Sequence, residues 1–103
     1  MMRKAKVFNH DELAGYLTEN DDGTYYFDYL ETYQDAEISL TMPTSQKHYT
    51  FTSFPPFFDG LLPEGLNLEG LLRKAKLDRN DCFSQLIIVG SNCVGSVTVE
   101  PDQ

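Results

Sequence analysis

The sequence predicts an α+β domain: a small antiparallel β-meander or partial barrel with two or three short helices. Three observations carry that expectation. Apolar spacing follows a strand period as far as residue 42 and a helix period after a proline-rich stretch. Asn20-Asp21-Asp22-Gly23 is a strong hairpin signal, because Asp-Gly favours the tight turns that match strand twist. The order of strands, then helices, then one strand is that of an α+β chain. A length of 103 residues suits one domain, residues 1–103, large enough for a real core.

Taken in order, Lys4 to Phe8 reads as a first strand. Asn9-His10-Asp11-Glu12 is turn chemistry, since Asn and Asp tolerate unusual backbone angles. Leu13 to Thr18 is a second strand, with Gly15 a candidate bulge. Thr24 to Tyr29 is rich in residues that suit a pleated surface and reads as a third. Ile38 to Met42 alternates apolar and polar like a fourth strand, and Pro43 ends it. Residues 43 to 56 read as irregular. Leu68, Leu71, Leu72 and Ala75 fall on one face of a helix, with Arg73, Lys74 and Lys76 at its dipole-favoured end. Asn80 or Asp81 caps a second helix carrying Phe83, Leu86, Ile87 and Gly90, and Gly95 to Val99 reads as a last strand.

Charge narrows the function. The net charge is −8, from 16 acidic and 8 basic residues. Such a chain repels phosphate backbones, so no direct nucleic-acid partner is expected. No Lys or Arg lies between Lys6 and Lys47, a stretch that carries nine acidic residues from Asp11 to Glu37. That half carries a negative field able to steer a basic partner, and a plain solvated face reads the same way. The N-terminus has no apolar signal region, and no apolar run is long enough to span a membrane. Cys82 and Cys93 match no redox or zinc spacing and read as reduced thiols of a cytoplasmic protein.

Catalytic chemistry is hard to find. The sequence has no phosphate-cradling glycine loop, no nucleophile elbow and no kinase catalytic signature. His10 and His48 each stand in a polar segment without a second ligand, so no metal site is expected. The acidic run ending at Gly23 fails as a calcium loop, because Thr18 and Tyr29 occupy its first and last ligand positions. No catalytic residue, cofactor or metal is assigned, and the chain is not expected to be an enzyme.

One segment stands out. From Phe54 to Leu66 the chain concentrates aromatics, leucines, three prolines and two glycines. Prolines and glycines fix its shape and lower the cost of ordering it on binding. Burial as a loop crossing the core is the plainer account of any one of these side chains. As a group they exceed what a small domain hides easily, and exposed apolar patches mark partner sites. The segment from Phe54 to Leu66 is therefore the candidate partner site.

The run Phe57-Phe58-Asp59-Gly60-Leu61-Leu62-Pro63-Glu64-Gly65 resembles the FFDGLLPEG-type motif in the N-terminal domain of HipA-like serine/threonine kinases. Ile38 to Pro43 is similar to that family's SLSMP stretch, and Val89 to Val97 to its GRDCPGA stretch, with Val94 standing where the family has proline. The opening Lys4 to Leu17 resembles its first hairpin. Nothing of the kinase core follows before Gln103, so the chain is similar to the small HipS protein of the tripartite HipBST arrangement. That resemblance implies an antitoxin that binds and restrains a HipT-type kinase toxin, and it places the interface on Phe57 to Leu66 and the start of the following helix, with Phe57, Phe58, Asp59, Leu61, Leu62, Pro63, Glu64 and Leu66 as the partner-binding residues. It implies a HipB-type helix-turn-helix protein in the same complex, contacted weakly or not at all. Kinases of this family phosphorylate aminoacyl-tRNA synthetases and so stop translation. Three other readings remain: an accessory subunit that completes the kinase, an acidic DNA mimic that occupies a helix-turn-helix protein's basic groove, and an independent small enzyme, for which the sequence holds no motif.

Overall fold

The computed structural model describes residues 3–90 and 96–102. Four strands form an antiparallel meander: β1 (Arg3–Asn9), β2 (Glu12–Glu19), β3 (Tyr25–Tyr29) and β4 (His48–Phe51). The last strand, β5 (Val97–Pro101), returns to pair antiparallel with β1, giving the order β4-β3-β2-β1-β5. The sheet stays open and does not close into a barrel. The expected turns form where their chemistry placed them. His10 and Asp11 take positive φ between β1 and β2. In the next hairpin Asn20 N–H donates to the Thr24 carbonyl, and Asp22 Oδ1 accepts from both Thr24 N–H and Thr24 Oγ1.

Alternation sorts the strands into two faces. Ala5, Val7, Leu17, Phe27, Val97 and Val99 point inward and form the core with Tyr25 and Tyr29. Lys4, Lys6, Tyr26, Asp28 and Glu100 occupy alternate positions on the other face. The register steps between Val7 and Phe8, whose partners are Gly15 and Leu13, so Ala14 is the extra residue of a bulge. Gly15 beside it is required for space. A Cβ there would sit 2.1 Å from the Asp28 carbonyl oxygen.

Two expectations are corrected. Residues Ile38 to Met42 form turns, and the fourth strand is β4, inside the stretch read as irregular. In a strand, Ile38, Leu40 and Met42 would share one face. Here Ile38 and Met42 are buried while Leu40 is 90% exposed. The reason is the Tyr29 hydroxyl. It donates to the Met42 carbonyl at 2.5 Å and accepts from Ile38 N–H at 3.1 Å, so a side chain takes the backbone groups a ladder would use. Tyr33 stacks on Tyr29 with ring centroids 5.8 Å apart, and its hydroxyl bonds the Ala36 carbonyl and the Asn9 amide. Burial pushes the Tyr29 phenol up to about 12, so it keeps its proton throughout the ordinary pH range.

Three helices follow: α1 (Pro56–Asp59), α2 (Gly65–Ala75) and α3 (Cys82–Val89). The sequence signalled the last two and missed the first. Phe58 of α1 and Phe83 and Leu86 of α3 enter the core under the sheet. Asp81 is the cap of α3, accepting from Ser84 N–H. Arg3 ties this cap to the sheet. Its guanidinium donates to Glu19 on β2 at 2.5 Å, Asp81 at 2.9 Å and Ser84 at 2.8 Å, and it lies over the Phe83 ring. Partial burial works to raise the Asp81 carboxyl, but the hydrogen bonds from Arg3 and Ser84 outweigh it and hold the group below its ordinary range.

Two expectations follow from these contacts. Tyr29→Phe leaves Ile38 N–H and the Met42 carbonyl without their shared partner. Denaturant unfolding should show a loss of about 1–3 kcal/mol, and unchanged stability would show that water replaces the hydroxyl. The Arg3–Asp81 pair sets an acid limb. The folded carboxyl binds its proton more weakly than the unfolded one, so its contribution is complete above the unfolded value of about 3.9. It is lost as pH falls through the lower folded value. Thermal melts from pH 7 to pH 2 should show this limb, shallower in Arg3→Met than in the parent.

Candidate functional site

The candidate segment begins with two prolines. Pro55 is buried and precedes α1, and Pro56 takes the first helical position, where a missing N–H costs nothing. Successive turns then carry the chain forward, with Asp59 N–H on the Pro55 carbonyl, Leu61 N–H on Phe58 and Leu62 N–H on Asp59. One side of this coil faces the protein. Phe58 is fully buried, its ring centroid 5.8 Å from Phe27 and 5.1 Å from Phe57. Phe57, Leu61 and Leu62 are half-buried and pack against the core. The segment is thus anchored.

The chain reverses at Gly65, whose φ of +57° lies in the left-handed region that other residues enter only with strain. Directly after it Leu66 is 89% exposed. No residue of α2 is buried. Its expected stripe of Leu68, Leu71, Leu72 and Ala75 is only half-buried. A cleft of about 190 Å³ lies beside it, lined by Leu62, Pro63, Leu68, Arg79, Cys82 and Gln85. A second, mostly apolar hollow of similar volume lies on the far side of Phe57, against Met42, Tyr49 and Phe51.

The eight nominated residues therefore separate. Phe58 is a core residue. Phe57, Leu61, Leu62 and Pro63 are half-buried, while Asp59, Glu64 and Leu66 are exposed. Periodicity could not have divided them, because α1 has only four residues. Reasoning from sequence also missed Leu40, which shares the high exposure of Leu66. The alternation that suggested a strand concealed it.

The titratable groups around the segment have distinct settings. Burial, then the nearby Asp59 and Asp81 carboxylates, push the Cys82 thiol up, which keeps it protonated and a poor nucleophile. Cys93 and most of the stretch resembling GRDCPGA lie outside the described residues. His48 bonds to Asp28 and stacks edge-on against Tyr26, across the sheet from the candidate segment. Among the described residues, no group of three His, Cys, Asp or Glu side chains is placed to hold a metal ion. What the segment offers is apolar area on a fixed scaffold. Covering one exposed leucine side chain contributes about 1.5–3 kcal/mol.

Comparison with known proteins places the chain. The family model described as the HipA N-terminal domain matches residues 5–100. A Haemophilus influenzae protein without an assigned function is 30% identical over 103 residues, covering 100% of this chain and 96% of that protein. A Sinorhizobium fredii protein titled "Putative kinase Y4dM" is 32% identical over 104 residues, covering 91% of this chain but only 25% of that protein. A solved structure, "N-terminal domain of HipA toxin", superposes with a TM-score of 0.77 at 28% identity, over 98% of this chain and 93% of that one. With a matching family model, near-complete coverage and a shared fold, the chain belongs to the HipA N-terminal domain family.

Proposed function

We propose that this chain is an antitoxin that binds a HipA-like kinase of the HipT type and restrains it, using the Phe57–Leu66 segment as the docking element. The observation that carries the proposal is the exposed Leu66 held at the apex of a core-anchored coil, in a domain of the HipA family. Water-exposed leucine gains nothing for the folded monomer, whereas a fixed one docks with little ordering cost. The relatives support a domain that acts on a separate kinase. The Haemophilus influenzae protein is matched over nearly its whole length, while the Sinorhizobium fredii protein carries the same region as a quarter of a longer chain.

In this reading the chain supplies contact and no catalysis, and the kinase brings its own chemistry. The complex is cytoplasmic and includes a HipB-type helix-turn-helix protein that this chain touches weakly or not at all. The acidic face serves solubility and steering, and the apolar segment supplies affinity.

The test is Leu66→Asp beside Leu62→Asp, with Glu31→Lys as a control on the exposed acidic loop. Because Leu66 is exposed, its variant should melt like the parent. Interface anchors cost about 2 kcal/mol or more when lost, so kinase affinity measured by calorimetry should fall by more than about tenfold. Growth arrest caused by the kinase should be relieved by the parent and by Glu31→Lys, and not by Leu66→Asp. A folded Leu66→Asp that binds and rescues like the parent sinks the placement. A parent chain that deepens the arrest identifies an accessory subunit instead.

A further inference from the structure

Helix α2 has two sides, and only one was expected from the sequence. Leu68, Leu71, Leu72 and Ala75 form the half-buried side. Opposite them, Leu66, Gly70 and Arg73 recur at i, i+4 and i+7 and so stack along one line of the helix. All three are exposed.

Gly70 has no use within the monomer. It stands in the middle of a helix, where glycine is among the poorest formers. A Cβ at that position would meet nothing within 4 Å. No turn or neighbouring element of the described structure requires it. The bare backbone is therefore available to a molecule that approaches from outside.

The charges beyond it point to the kind of molecule. Arg73, Lys74 and Lys76 are exposed, and none takes part in the ion pairs formed among the described residues. Arg79, by contrast, is neutralised by Glu69. The end of α2 is thus a local cationic patch on a chain of net charge −8. A partner drawn to this patch carries acidic groups there.

We propose that the outward ridge of α2 extends the docking surface and fixes its direction. The partner seats Leu66 in an apolar pocket, packs closely over the bare backbone at Gly70, and sets a carboxylate against Arg73, about 10 Å along the axis from Leu66. This rests on the kinase-docking reading and specifies the occupant: a kinase surface with an apolar pocket and an acidic rim on one side. Lys74 and Lys76 strengthen the same rim contact at low salt.

The test uses the full chain and the same HipT-type kinase, with Gly70→Met, Gly70→Ala and Arg73→Glu beside Leu66→Asp. Replacing Gly70 improves helix propensity and meets open space, so both Gly70 variants should melt at or above the parent's temperature. Gly70→Met and Arg73→Glu should each bind the kinase at least tenfold more weakly, with Gly70→Ala between Gly70→Met and the parent. Raising the salt should weaken the parent more than Arg73→Glu. If Gly70→Met or Arg73→Glu binds like the parent while Leu66→Asp is impaired, the ridge proposal is overturned and the docking segment stands. If the parent itself does not bind the kinase, both fall together.

Discussion

The burial of Phe58 against Phe27 is the contact on which the rest of this surface depends. The sheet supplies a firm inner wall in Tyr25, Phe27 and Tyr29, and α1 is too short to hold itself in place. Packing of one aromatic ring converts a four-residue coil into a fixed platform. Leu61 and Leu62 follow it onto the core, and the left-handed turn at Gly65 then directs Leu66 outward. The exposed residue is exposed because its neighbours are not.

A second set of contacts fixes the ends. Arg3 joins two strands and the start of α3 through three charged or polar acceptors, so one end of the β1–β2 pair and the third helix settle together. Tyr29 does the equivalent at the other end, where its hydroxyl gathers the chain between β3 and β4. Tyr29 satisfies backbone groups that regular secondary structure leaves open, while Arg3 links side chains of separate elements. Between these supports α2, alone of the three helices, buries none of its residues, and its end is cationic in a chain of net charge −8. A rigid core, a fixed coil and a loosely covered helix thus lie side by side in one small domain.

Local chemistry was readable where local chemistry decides. The Asn-Asp-Asp-Gly turn, the three-strand meander, the Asp81 cap and the helical stripe of α3 depend on residues close in sequence, and each formed as expected. The fourth strand did not. Ile38 to Met42 has strand alternation, but its backbone partner is the hydroxyl of a tyrosine nine and thirteen residues away. No pattern inside the segment contains that information.

The same division holds for the candidate site. Residues 57–66 were conspicuous by composition and by family resemblance, and from these the sequence by itself determined that the segment is apolar, shape-restricted and HipA-like. Which of its side chains are core and which face outward was decided only by the tertiary structure. Phe57 and Phe58 are adjacent and identical, yet the second is fully buried and the first is shared between core and surface. Leu62 and Leu66 differ little in local setting, yet one packs on the core and the other faces out. Burial is a property of what lies opposite in space, and for this segment that is a strand some thirty residues earlier in the chain.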